Sequence, residues 1–351
     1  MKKGWFKKPF EDCLEKVTYT QKVQRKDFLD DGAYPVVSQE ESFINGYWDN
    51  EADLFKVKTP IVIFGDHTKV LKYIDFDFVL GADGVKILPP RDFLVPKFFF
   101  YQLQNANLET LGYARHYKLL KELVILYPAR PEQQRIVKIL DEAFAGIATA
   151  QANAAKNLQN ARDLFASHLN AVFTHRGAGW VEKRFDEFCL LQRGFDLPTR
   201  ERIAGKYPLV SSSGIIDTHN KAPVCGPGVV TGRSGSIGNV FFIKEDYWPL
   251  NTTLFVKEFF GNDIRFTYWL LNYFKLLRFA SGTGVPTLNR NAVHEQPVIV
   301  PACCDKQKAI AAQLDALSSE TRRLAAIYQR KQAALSEFKQ SLLHRAFAGE
   351  L

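Results

Sequence analysis

With 351 residues, 46% hydrophobic and 24% charged, the chain is long enough for about two domains with buried cores and is neither a disordered polymer nor a fibre. No stretch approaches the roughly 18 apolar residues of a membrane span, no apolar run follows Lys2-Lys3 as in a signal peptide, and the five cysteines lack zinc or disulfide spacing. A reduced, cytoplasmic protein without metal, cofactor or membrane partner is expected, and its 46 Lys and Arg against 38 Asp and Glu (net +8) favour a polyanionic partner, although residues 1–130 are almost neutral.

The chain opens on Gly4-Trp5, followed by Lys8 and Phe10. Tyr34-Pro35-Val36-Val37-Ser38 comes next, and then residues 59–65 and 84–89, short apolar runs bounded by breakers that predict strands. Residues 96–104 predict a helix, residues 112–118 interleave basic and aromatic side chains, and residues 124–128 predict a returning strand. A long helix is predicted over 131–175, and the glycine-rich residues 175–179 join it to the second half of the chain.

The order then repeats. Gly179-Trp180 precedes Lys183 and Phe185, and Tyr207-Pro208-Leu209-Val210-Ser211 answers the segment that begins at Tyr34. Strands are predicted at 228–232 and 239–243, a helix at 264–279, a strand at 297–301 and a second long helix over 302–351. Residues 132–141 recur as residues 306–315, and the 174-residue offset also carries Ser167, Leu169 and Phe173 onto Ser341, Leu343 and Phe347. This period is far beyond the roughly 20 to 50 residues of solenoids, so it implies two similar α+β domains, each followed by a similar helix.

Both long helices carry a coiled-coil seam. In the second, Ile310, Leu314, Leu317, Leu324, Tyr328, Leu335, Phe338 and Leu342 are spaced by fours and threes, interrupted at Thr321, Lys331 and Arg345. The first has Ile136, Leu140, Ala143, Ile147, Ala150, Ala154, Ala161, Leu164 and Ala171, interrupted at Asn157 and His168. A helix of about 40 residues is about 60 Å long, more than one such domain can cover. An alanine-rich seam facing a bulky one favours pairing within the chain, with an intermolecular coiled coil as the alternative.

No catalytic signature stands out. Residues 226–232 superficially resemble a dinucleotide fingerprint, but the third glycine comes one residue late and a strand follows. Gly235-Ser236-Ile237-Gly238 lacks the spacing of a nucleophile elbow, and neither an Asn-Pro-Pro-aromatic motif nor a Walker A lysine occurs. A self-sufficient methyltransferase is therefore disfavoured. Residues 131–137 opening the first long helix, and the ending at residues 339–351, resemble the two conserved helical regions of specificity subunits of type I restriction–modification systems. Gly4-Trp5 and Gly179-Trp180 sit where that family's recognition domains begin. The second helix departs from the pattern in opening with Lys306-Gln307-Lys308, and the chain is short for the family.

The resemblance implies an α+β fold of two similar target-recognition domains separated by two long helices that pair as an antiparallel intramolecular coiled coil. The domains would span 1–130 and 176–301, and the spacer helices 131–175 and 302–351. It implies a non-catalytic subunit that reads a bipartite, asymmetric target in double-stranded DNA. Two modification subunits, which methylate adenine, would be its partners, with restriction or translocase subunits as optional ones. The competing reading is a coiled-coil interaction protein whose β-rich domains bind protein or glycan.

Candidate DNA contacts fall on donor-rich loops. In the second domain, Arg233, Ser234 and Ser236 lie between two predicted strands, where glycines allow close approach and an arginine can fork onto guanine or phosphate; the alternative is a plain hairpin turn. Ser211, Ser212 and Ser213 form a second polar loop, against an ordinary turn. Thr283, Asn289, Arg290 and Asn291 form a third, since Asn and Arg make bidentate contacts with adenine and guanine, against a helix N-cap at Asn289 or Asn291. In the first domain, Arg115, His116, Tyr117 and Lys118 occupy the place of that third loop, against a solvated helix start. His67, Thr68 and Lys69 occupy the place of the Arg233 loop, with Asp66 in place of an arginine, so the two domains are expected to read different sequences. Trp5 and Trp180 are expected to be core anchors. Arg322-Arg323 and Arg330-Lys331 are candidate docking residues, or a solvated basic face.

Overall fold

The computed structural model describes residues 4–106, 108–109, 114–175, 177–282 and 286–351. It divides into two compact units: one is the chain up to Ala154 together with Arg330–Leu351, and the other is Ala155–Gln329. Two helices of 45 residues, Arg130–Thr174 and Cys304–Ala348, each contribute one half to each unit.

In the first unit, Ile61–Gly65 is a β-branched run between Pro60 and Gly65, buried along its whole length. It pairs antiparallel with Leu71–Ile74 and Val85–Leu88. A second sheet has Phe78–Gly81 parallel to both Lys22–Val23 and Tyr34–Val37. Phe6–Pro9 pairs with Val124–Tyr127, which returns the chain to the start of the first long helix.

The second unit repeats the plan. Gly228–Gly232 lies between Val240–Ile243 and Thr253–Glu258, and Leu190–Arg193 extends that sheet. Tyr207–Ser211 hairpins onto Gly214–His219, and Trp180–Arg184 pairs with Pro297–Pro301. The opening glycines are explained by backbone geometry, because Gly4 and Gly179 have φ of 86° and 83°, where a side chain is strained. Trp5 is buried and lies 6.4 Å from Phe98, while half-buried Trp180 meets Phe173 edge-on at 6.4 Å.

The repeated glutamine of the helix starts joins domain to helix. Gln133 is fully buried; its Nε2 donates to Phe93 O and Pro128 O, both at 2.8 Å, and its Oε1 accepts from Val95 N at 2.7 Å. Gln307, also fully buried, donates to Pro301 O and Asn262 Oδ1 at 2.8 Å and accepts from Asp263 N at 2.8 Å. Val95 and Asp263 are the N-cap residues of the domain helices Pro96–Asn105 and Ile264–Tyr273. Two turns further along, Asp141 accepts from Lys97 Nζ at 2.8 Å and from Tyr101 Oη. Its repeat, Asp315, accepts from Arg265 Nε at 2.7 Å and Trp269 Nε1 at 2.9 Å. Each aspartate thus grips two side chains one turn apart on its domain helix.

The helix halves run antiparallel inside each unit. In the first, Arg135 Nη2 donates to Leu351 O at 2.7 Å and Gln151 Nε2 to Ser336 Oγ at 3.1 Å, while Leu342, Leu343 and Ala346 enter the core with Ile136, Leu140 and Ile147. In the second, Phe173 packs with Ala311 and Leu314. The expected seam is buried at Ile136, Leu140, Ile147, Ala154, Ala161, Leu314 and Leu342 and departs from the expectation at other positions. Leu164 and Phe338 are exposed at 55% and 52%, and the seam also takes in Phe165, Ala311 and Ser318, with Thr321 buried at its expected interruption. Thr321 can sit in the seam because its hydroxyl donates to Leu317 O at 2.9 Å, so its burial strands no donor.

The helix predicted over 264–279 is also corrected. It ends at Tyr273, Lys275 turns with φ 51°, and a 3-10 turn follows at Leu276–Phe279. The break stacks Phe274 on Phe279 at 5.7 Å, with the Arg278 guanidinium over both rings.

Candidate nucleic-acid interface

In the second unit the nominated loops converge. The segment after Gly228–Gly232 is stitched to the turn before Thr253–Glu258: Arg233 N and Ser234 N both donate to Thr252 O, at 2.8 and 3.2 Å. Leu288 N donates to Arg233 O at 2.7 Å, bringing in the third loop, and Ser212 N donates to Thr252 Oγ1 at 3.4 Å, bringing in the serine turn. Glycine is needed at the bend, because a Cβ at Gly232 would lie 2.0 Å from Ser236 O. A cleft of about 430 Å3 results, lined by Arg193, Arg233, Ser281, Asn289, Arg290 and Asn291. Arg290, Asn291, Ser213 and Ser236 are exposed; Arg233, Ser234 and Ser212 are half-buried.

Two side chains of this set are committed elsewhere. Asn289 is an N-cap, its Oδ1 accepting from Asn291 N at 3.1 Å. Ser211 is buried, and its hydroxyl donates to Gly214 O at 3.1 Å, closing its own turn. Thr283 lies outside the described residues, as do Gly112, Tyr113 and Gly284.

The first unit builds the equivalent junction with other chemistry. Asp66 is buried; its Oδ1 accepts from Tyr117 N at 2.8 Å, its amide donates to Gly84 O at 2.7 Å, and its carbonyl accepts from His116 N at 2.8 Å. Gln39 completes the junction, with His67 N donating to its Oε1 at 3.1 Å and Thr68 Oγ1 to its carbonyl at 2.6 Å. The expected contrast between Asp66 and an arginine is therefore a contrast in framework, because Asp66 fastens two loops and faces inward. His116 is buried with Nδ1 3.0 Å from Asp66 O, and half-buried Tyr117 packs edge-on to Phe10 at 6.2 Å. Lys69 takes a φ of 61° and its ammonium reaches Leu108 O at 3.4 Å. Thr68, Arg115 and Lys118 remain exposed. The repeat could have exposed Gln39, which follows Ser38 as Ser212 follows Ser211; no local pattern marks Arg193, Asn251 or Thr252.

The loop after Gln39 is held by a buried lysine. Lys72 is 3% exposed and donates to Ser42 O at 2.5 Å and Asn45 Oδ1 at 3.0 Å. Burial pushes its amine down to about 8, against 10.5 for a free lysine. Above pH 8 the folded amine gives up its proton while the unfolded one keeps it, so the unfolded chain binds more protons and this group makes stability rise with pH. Urea unfolding of the first unit should show a gain of about 2 kcal/mol from pH 8 to 10 relative to Lys72→Met. Parallel pH profiles for the two proteins would contradict it.

Among the described residues no His, Cys, Asp or Glu cluster can hold a metal ion, and no helix is long and apolar enough to cross a membrane. The architecture is that of a two-unit binding protein that presents a polar, loop-built surface on each unit. The chain belongs to the family described as type I restriction modification DNA specificity domain, whose model matches residues 2–157 and 178–331. It is 29% identical over 154 residues to the type I restriction enzyme EcoR124I/EcoR124II specificity subunit of Escherichia coli, an alignment covering 39% of this chain and 38% of that protein. The chain thus matches well under half the length of that relative.

Its fold matches a chain solved in work on complex assembly and conformational transition of the type I R-M system, with TM-score 0.78 and 16% identity over 100% of this chain and 99% of that one. The HsdS subunit from Thermoanaerobacter tengcongensis superposes with TM-score 0.59 at 15% identity, over 100% of this chain and 98% of that one.

Proposed function

We propose that this chain is the sequence-reading subunit of a type I restriction–modification complex, and that each unit reads one half of a split, asymmetric target in double-stranded DNA. The observation that carries this is the twofold occurrence of one junction. In each unit three loops of the matched domain meet through backbone hydrogen bonds, yet their side chains differ. A frame repeated with unlike side chains suits two unlike half-sites. Residues 1–130 and 176–301 act as the recognition domains, and 131–175 and 302–351 as the helices that set the gap between the half-sites. Two modification subunits supply methyl transfer to adenine, and restriction or translocase subunits add cleavage. The chain itself lends the address, and the complex acts in the cytoplasm.

Phosphate contacts from exposed Lys and Arg would position the subunit, and the loop side chains would read base edges. Residues 176–300, all in the second unit, hold 15 Lys and Arg against 11 Asp and Glu, which supports a larger electrostatic share for that unit. Selection from random duplex pools by the full chain with its cognate modification subunits should enrich two short blocks at a fixed separation. Enrichment of a single block, or of none, would reject the reading. Arg233→Ala should lose about 1–3 kcal/mol of discrimination at one block and leave the other unchanged. Equal loss at both blocks would contradict the division of labour between units.

A further inference from the structure

We propose that Asp196 and Asn251 hold the guanidinium groups of Arg193 and Arg233 as one paired reading head in the second unit. Arg193 is then a specificity-determining residue for that unit's half-site, and Asp196 is a positioning residue. The inference rests on the proposed function and names which side chains do the reading.

The pairing begins with a glycine. Leu190–Arg193 ends at Gly194, where a Cβ would fall 2.2 Å from Leu250 O and 2.6 Å from Pro249 O, so only glycine lets the turn lie this close to residues 249–250. Two backbone bonds fasten it there: Gly194 N donates to Thr253 O at 3.1 Å and Phe195 N to Pro249 O at 2.8 Å. Asp196 is thereby placed beside Asn251, whose Nδ2 donates to Asp196 Oδ1. Arg193 Nη2 donates to both oxygens of the same carboxylate, at 3.1 and 3.3 Å. On the other side, Arg233 Nη1 donates to Asn251 O at 3.4 Å. The result is a continuous chain, Arg193–Asp196–Asn251–Arg233, whose two arginines line the cleft together with Arg290 and Asn291.

A carboxylate at this place works against simple phosphate binding. It cancels part of the positive charge facing a polyanion, so it lowers non-specific attraction. What it adds is direction: with one Nη of Arg193 fixed to Asp196, the remaining donors of the planar fork point one way. A bidentate contact with guanine O6 and N7 needs such a fixed plane, whereas a phosphate accepts a guanidinium from many angles. Among the described residues, the first unit has no such chain at the corresponding strand end. The offset that carries Phe10 onto Phe185 places Thr18 and Gln21 where the second unit has Arg193 and Asp196, and Asp66 is turned inward. The chemistry of the second unit thus fits a guanine-containing half-site.

The test uses the full chain with its modification subunits, random duplex pools scored position by position, and the salt dependence of binding to a non-specific duplex. Asp196→Asn should bind non-specific duplex more tightly, because a negative charge is removed, yet lose roughly ten-fold discrimination at one or two adjacent positions of one half-site. Arg193→Ala should lose the same positions. Arg193→Lys should keep the wild-type salt slope and still fail to restore them, since an ammonium has no fork. Thermal melting of each variant identifies any that fail to fold, and the lysine variant retains the charge and stem of Arg193. An unchanged positional profile in Asp196→Asn and Arg193→Ala, or a loss spread evenly over all sequences, would overturn the inference and leave the proposed function standing. If the unaltered chain selects no split motif, the functional reading itself falls.

Discussion

Replacing Gln133 with leucine is expected to destabilise the first unit by about 3 kcal/mol, because three buried or part-buried backbone groups lose their partner and each unsatisfied group costs about 1–3 kcal/mol. The orphaned groups are Val95 N, Phe93 O and Pro128 O, gathered around a side chain that is itself fully buried. Leucine fills a similar volume, so the loss measures hydrogen bonding more than cavity. Gln307→Leu should do the same to the second unit through Asp263 N, Asn262 Oδ1 and Pro301 O. For a unit of this size the melting midpoint should fall by roughly 6–12 °C. Hydrogen exchange adds a local readout: the Val95 amide should lose protection in the first variant and the Asp263 amide in the second. A loss below about 1 kcal/mol in both would show that the glutamines are bystanders.

These glutamines also show how far the sequence could be read. The repeat itself, with Gly4-Trp5 and Gly179-Trp180 opening each half, was legible because identical backbone needs recur: a positive φ before a strand, and a glutamine in the first helical turn. What that glutamine does was not legible. Its partners lie 38 to 40 residues away at Val95 and Phe93, on a segment with no pattern of its own. The same holds for Asp141 and Asp315, which look like ordinary charges on a solvated helix face until the domain helix brings Tyr101 or Trp269 to them.

The seam departs from its periodicity for a different reason. Periodicity favours large apolar residues, so it selects Leu164 and Phe338, passes over Ser318 and treats Thr321 as an interruption. Burial is decided by what faces the residue, and a threonine whose hydroxyl bonds its own helix is a tolerated small residue where backbones approach. At the junctions, loop composition located the right segments but not the right side chains. Asp66, His116, Ser211 and Asn289 carry polar atoms suited to DNA, yet each donates or accepts within its own unit, and these bonds hold the loops in place. A loop must first be held before it can read, and sequence alone does not separate the holding residues from the reading ones.

Phe173→Ala is expected to cost the second unit about 3–5 kcal/mol, the usual range for removing a buried aromatic side chain. Phe173 is 3% exposed and is the point where the first long helix enters the second core. Its ring stacks on Tyr273 at 4.8 Å, tilts against Phe266 at 5.5 Å and meets Trp180 edge-on at 6.4 Å. The repeat-equivalent Phe347 is only half-buried and meets a single ring, Phe98 at 5.2 Å, among the described residues. Phe347→Ala should therefore cost clearly less, about 1–2 kcal/mol, as expected where part of the ring already faces water. Denaturant unfolding with hydrogen exchange resolved by unit separates the two effects. Because Phe173 belongs to the first helix by sequence and to the second domain by packing, its loss should loosen the grip of the second domain on that helix while leaving the loop junction around Thr252 intact. Local protection should then fall near Phe266 and Tyr273 and persist at Arg233 and Ser234. Equal costs for the two phenylalanines, or a loss of protection at Arg233 as large as at Phe266, would show that helix and junction are one cooperative element.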